Sequence, residues 1–142
     1  MPNVVFDASS LVGALLKRDS IPERALLHAR SNATICLSAD VANEIREVFS
    51  RPKFQKYLAS GRRELLLDII ENGAMWFEPE VRVEDCRDVK DNKYLELALV
   101  AGAEPIVSSD EDLLVLSPWR GIEIITPTDY VRRFEPSGPN PF

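Results

Sequence analysis

The chain has a single histidine among its 142 residues. His28 lies in the helical run PERALLHAR, and no G-x-S-x-G motif accompanies it. A histidine-based catalytic triad therefore has no support. Cysteine is almost as scarce. Cys36 and Cys86 form no C-x-x-C spacing, so zinc is not expected. Cys36 falls in the apolar run ATICLS, where a thiol behaves as a small buried hydrophobe. No apolar run approaches the roughly 18 residues that span a bilayer, so no membrane partner is expected. The opening MPNVVFDAS has no basic leader, which argues against a secretory signal and for a cytoplasmic location. Positive charge is also short: 17 Lys and Arg face 23 Asp and Glu, a net charge of −6. Phosphate affinity usually comes from Lys and Arg. Either the chain binds no nucleic acid, or much of its acid is gathered in one place and neutralised by cations.

What is present suits one domain with one core. Hydrophobic residues make up 45% and charged residues 28%, ordinary values for a globular chain. PNVVF, ATICL, AMWFEP, EPIVSS and GIEIIT read as strands. Between them, SSLVGALLKR, IPERALLHAR, SADVANEIREVFS, RRELLLDIIENG, DNKYLELALVAGA and DEDLLVL read as helices, with a short helix or turn at RPKFQKYLAS. A serine is expected to cap the first helix. In the third helix Val41, Ile45, Val48 and Phe49 share one face. TPTDYVRRF is a final helix with a threonine cap. The alternation implies a three-layer αβα sandwich around a central, mostly parallel five-stranded sheet. The domain is expected to span 1–134. The last eight residues, EPSGPNPF, hold three prolines and read as a flexible tail, 135–142.

In such sheets, ligands bind beyond the carboxyl ends of the strands. Asp7 directly follows VVF, and Asp110 directly follows IVSS. Both are expected at the same edge. Asp91 falls within the face formed by Tyr94, Leu95 and Ala98, at roughly 100° per residue. Glu44 lies at the border of its helix's apolar stripe, whereas Glu47 and Glu96 point away. Each acid alone has an ordinary structural reading: Asp7 as a cap, Asp91 as a helix-dipole partner, Glu44 as a surface residue. Together they can converge. Four close carboxylates repel unless cations neutralise them. Mg²⁺ or Mn²⁺ would do so, taking oxygen ligands and bridging to substrate phosphate.

The stretches VVFDASSLVGALL, LSADVANEIREVFSRPKF and RDVKDNKYLELALVAGAEPIVSSDEDLL, in that order, resemble a known family. The chain is similar to PIN-domain proteins of the VapC-like type, the toxin component of toxin–antitoxin pairs. The resemblance runs from Val4 to about Phe134. It implies a PIN-like fold and a ribonuclease dependent on Mg²⁺ or Mn²⁺. Its metal-binding and catalytic acids fall on Asp7, Glu44, Asp91 and Asp110. Ser9 and Ser108 fill the places of supporting hydroxyl residues, and Ser109 stands where many relatives have glycine. Asp112 supports the site or, as favoured here, caps a helix. Asp88 is a weaker supporting candidate. The implied partners are an RNA substrate, a small antitoxin covering or filling the site, and a second copy of the chain in a homodimer.

Arg46, Arg51, Lys53 and Lys56 lie close in sequence to Glu44 and are candidate phosphate contacts. A solvated helix face is the competing reading. Trp76 is expected in the core, while Trp119 is open between base stacking and a partner interface. A phospho-receiver domain is disfavoured, because WFEPE offers no phosphorylated Asp and TPTDY no Lys. A catalytically weak PIN-like RNA-binding or interaction module is the alternative function. DNA cleavage ranks below both.

Overall fold

The computed structural model describes residues 1–135. Five short strands form one sheet: β1 (Asn3–Phe6), β2 (Thr34–Leu37), β3 (Met75–Trp76), β4 (Ile106–Val107) and β5 (Ile124–Ile125). Their spatial order is β3-β2-β1-β4-β5, and every pairing is parallel. Val4 lies opposite Ile35, and Val5 opposite Ile106. The middle strands are continuous apolar runs because helices bury both faces. Val4, Val5, Ile35, Leu37, Ile106 and Val107 are all buried. Among the described residues, no helix is long and apolar enough to cross a membrane.

The helices are α1 (Ala8–Leu16), α2 (Ile21–Asn32), α3 (Ala39–Phe49), α4 (Pro52–Gln55), α5 (Arg62–Glu71), α6 (Asn92–Ala101), α7 (Glu111–Leu114) and α8 (Pro127–Phe134). A 3-10 turn at Val89–Asp91 leads into α6. Ser20, Ser38 and Thr126 cap α2, α3 and α8 by accepting from the backbone N–H three residues on. Pro22 sits in the first turn of α2, as its fixed φ allows. Gly13 lets α1 and α2 pack closely, since a Cβ there would lie 2.7 Å from Pro22 Cγ. Helix α6 contacts β1 and β2 and ends at Gly102 in the left-handed region.

Three local expectations are corrected. The cap of α1 is Asp7, not a serine. The strand expected over AMWFEP is only two residues long, and its Trp76 is 50% exposed instead of buried. Strand β3 is the sheet edge, so its side chains have a neighbour on one side only. Trp119 takes the buried place: its indole N–H donates to Asp85 Oδ2 at 2.8 Å, and the Arg120 guanidinium lies over its ring. Of the expected tail, Glu135 is described, with its N–H bonded to Val131 O and its carboxylate paired with Arg24. The remainder lies outside the described residues.

Candidate metal centre

Strand β1 hands the chain to β2 on one side and has β4 on the other, which opens a crevice beyond the carboxyl ends. Asp7 is the residue after β1 and the cap of α1. It is buried, and its carboxylate is well supplied with donors. The Ser10 N–H reaches Oδ1 at 2.8 Å, the Ser9 hydroxyl reaches both oxygens at 2.8 and 2.9 Å, and the Ser108 hydroxyl reaches Oδ2 at 2.5 Å. Burial pushes the Asp7 carboxyl above its ordinary range, and the donors from Ser108, Ser10 and Ser9 oppose that rise.

Ser108 also serves the second acid. Its Oγ accepts the Asp110 N–H at 2.9 Å, so one hydroxyl ties the end of β4 to both carboxylates. Asp110 caps α7, accepting the Asp112 N–H at 2.9 Å. The Ser109 N–H donates to Ser9 Oγ at 3.3 Å, so serine is accommodated in this turn.

Asp91 ends the 3-10 turn and is 5% exposed. Its Oδ2 is buried without a hydrogen-bond partner among the described residues. Carboxylate oxygens of Asp88, Asp91 and Asp110 all lie within 4.8 Å of one another. Burial, then the neighbouring Asp110, Asp88 and Glu44 carboxylates, push the Asp91 carboxyl up to about 8. A buried carboxylate among like charges is costly unless a cation joins it. An all-oxygen donor set suits a hard divalent ion. The orphaned oxygen and its acidic neighbours therefore fit the metal that the sequence suggested.

Glu44, half-buried on α3, is held differently. The Tyr94 hydroxyl donates to its Oε1, and Lys93 Nζ lies 2.8 Å from its Oε2. The same Tyr94 oxygen accepts the Ala8 N–H at 3.1 Å, joining α6, α3 and the start of α1. Burial and Glu44 raise the Tyr94 phenol well above its ordinary range.

Asp7, Glu44, Asp91 and Asp110 all line one cleft of about 410 Å³, along with Ser9, Arg51, Lys53, Lys90 and Tyr94. A larger cavity of about 650 Å³, beyond β2 and β3, contains none of these four acids.

A family profile described as PIN domain matches residues 3–112. This chain belongs to the PIN domain family. Among solved structures, a PAE2754 protein from Pyrobaculum aerophilum has the same fold, with a TM-score of 0.55 and 20% sequence identity. The match covers 92% of this chain and 88% of that one. No curated protein matches the sequence significantly. PIN domains are generally nucleases that use divalent metal ions, and the acidic cluster of this PIN domain fits such an ion.

The tight cluster differs in membership from the four acids singled out in the sequence. Asp91 and Asp110 belong to it, and Asp88 completes it, whereas Asp7 and Glu44 flank it. Asp88 caps the 3-10 turn by accepting the Lys90 N–H. Asp112 is not the cap of α7, since Asp110 holds that position. Arg51 and Lys53 line the cleft of this PIN domain, but Arg46 and Lys56 do not. Arg46 pairs with Glu71, and the Lys56 ammonium lies over the Tyr57 ring. Lys90 is a cleft cation that the sequence reading passed over, although it stands next to Asp91 in VKDN.

Proposed function

We propose that this PIN domain is a cytoplasmic endoribonuclease dependent on Mg²⁺ or Mn²⁺, and the toxin of a toxin–antitoxin pair. One observation carries the reading. A buried, unpartnered carboxylate oxygen on Asp91 sits among Asp88 and Asp110 in a cleft that also bears Arg51, Lys53 and Lys90. Acid to hold a cation and base to hold phosphate thus share one opening. Asp88, Asp91 and Asp110 would hold the ion. Bound there, a divalent ion supplies charge neutralisation at the scissile phosphate and a more acidic water.

The remaining residues divide the work. Arg51, Lys53 and Lys90 approach the strand's phosphates and offset the repulsion of a chain with net charge −6. Asp7 is locked by Ser9, Ser10 and Ser108, so it presents a fixed carboxylate to the cleft. Glu44 lines the same cleft, oriented by Tyr94 and Lys93. Preference for RNA, pairing with an antitoxin and assembly as a homodimer rest on the resemblance of the motifs around Asp7, Glu44, Asp91 and Asp110.

A second reading, an RNA-binding module with little catalysis, draws on one feature. Both Glu44 oxygens already have protein partners, which leaves fewer carboxylates free for chemistry. A mixed RNA pool incubated with Mg²⁺ or Mn²⁺ separates the two. The nuclease reading expects cutting by the wild type, and none with EDTA or with Asp91→Asn. RNA binding without cutting in either metal would establish the second reading.

A further inference from the structure

The metal cleft is not the largest opening among the described residues. The cavity of about 650 Å³ beyond the ends of β2 and β3 is lined in part by Trp76, Phe77 and Val81. It adjoins a second cavity of about 310 Å³, lined by Leu99 and Val100 of α6, and the two share Glu80, Val81 and Glu96. Together they make a groove with an apolar floor. Trp76 is 50% exposed in it, and Val81 is 57% exposed. Strand β3 is also the end of the sheet, so its outer backbone edge has no neighbouring strand among the described residues. Exposed aromatic residues on an open strand edge are features that stable proteins usually cover.

The charge around this groove selects what can cover it. Asp40, Glu78, Glu80 and Glu96 line it against one cation, Arg82. None of these five residues forms an ion pair among the described residues. RNA is disfavoured, because phosphate would meet four carboxylates. A second copy applying the same face is disfavoured too, since an isologous contact would set one acidic patch on another. The chain's own last residues, 136–142, carry no Lys or Arg to complement it.

We propose that this groove docks a basic peptide segment of a partner protein, anchored by an apolar side chain and added as a strand along the free edge of β3. Main-chain hydrogen bonds to β3 would supply affinity. The apolar anchor would enter the Trp76–Val81 floor, and Lys or Arg side chains would meet Glu78 and Glu80. The site is separate from the metal centre, so docking does not need the cleft to be empty.

The test begins with selection of a random-peptide library on the immobilised full chain. Enriched clones are expected to combine two or more Lys or Arg residues with a large apolar one. Binding of the best peptide is then followed by tryptophan fluorescence. Trp76 is half exposed and the chain's only other tryptophan, Trp119, is 5% exposed, so the change reports mainly on the groove. The double variant Glu78→Lys/Glu80→Lys, both positions being exposed, should weaken binding by about tenfold or more, and added salt should weaken it further. Asp91→Asn should leave it unchanged. Enrichment of neutral or acidic peptides, or equal binding by the charge-reversed variant, would overturn the proposal. So would a Trp76 signal that follows chain concentration alone, which marks a second copy, or one that follows RNA.

Discussion

The two ends of the metal cleft hold the same kind of side chain in opposite circumstances. Asp7 and Asp91 are both buried aspartates at helix starts, 2% and 5% exposed. Asp7 is surrounded by hydroxyl and N–H donors from Ser9, Ser10 and Ser108. Asp91 has a carboxylate oxygen with no donor among the described residues, and its neighbours Asp88 and Asp110 are acids. The fold satisfies one carboxylate by itself and leaves the other needing something from outside. That difference separates a group that shapes the site from a group that recruits a cation.

The largest expected effect lies at the unsatisfied end. Asp91→Asn should reduce metal-dependent cleavage by about 100-fold or more. The same change should raise the Tm of the metal-free protein, because an amide removes one of the crowded charges. A rise in metal-free stability together with lost activity distinguishes this acid from Asp7. At the satisfied end, Ser108→Ala removes the donor to Asp7 and the acceptor for the Asp110 N–H. Urea unfolding should show a loss of about 1–3 kcal/mol, the usual cost of an unpaired buried polar group. Asp88→Asn should weaken Mn²⁺ binding by about tenfold in calorimetry without that loss of stability. If Asp88 is instead only a cap of the 3-10 turn, the affinity stays level, since asparagine caps as well as aspartate.

The smallest effect concerns the wall of the cleft. Tyr94→Phe deletes the hydroxyl that orients Glu44 and accepts the Ala8 N–H. Its cost in kcat should be a few-fold and should largely vanish in the Glu44→Ala background, because a residue acting through another has little effect once that other is gone. Effects that simply multiply would show that Tyr94 acts independently of Glu44.

Much of the site was legible in the sequence because strand ends and helix faces follow from short-range pattern. The runs VVF and IVSS place Asp7 and Asp110 at one sheet edge, as observed. The spacing of Tyr94, Leu95 and Ala98 placed Asp91 on a buried face, and it is buried, although it ends the 3-10 turn before α6 and is not part of that helix. The parts that were not legible depend on geometry beyond such patterns. Asp88 joins Asp91 because the chain tightens there into a 3-10 turn, in which side chains three apart eclipse. Asp112 looks like the cap in SSDEDLL, but Asp110 has the extended backbone that capping needs and accepts the Asp112 N–H. Arg46 looked available for phosphate until its partner Glu71 was brought in from 25 positions away. Trp76 looked like core because composition does not reveal strand order, and order alone puts β3 at the edge.

The central claim is that Asp88, Asp91 and Asp110 form a centre that needs a divalent cation. Thermal unfolding across pH, with and without Mn²⁺, tests it most directly. Burial and neighbouring acids raise the folded Asp91 carboxyl from its ordinary value of 3.8 to about 8. An acid raised on folding favours the native state when protonated, so its contribution is full below pH 4 and is lost as pH climbs towards 8. The metal-free Tm should therefore carry a component that falls with pH across this window. Mn²⁺ should restore it, with a larger gain at high pH, where the carboxylates are charged. In Asp91→Asn the fall should shrink to the part that the raised Asp7 carboxyl contributes, and most of the Mn²⁺ gain should go with it. A wild-type Tm indifferent to Mn²⁺ at every pH, or an equal gain in Asp91→Asn, would contradict the account.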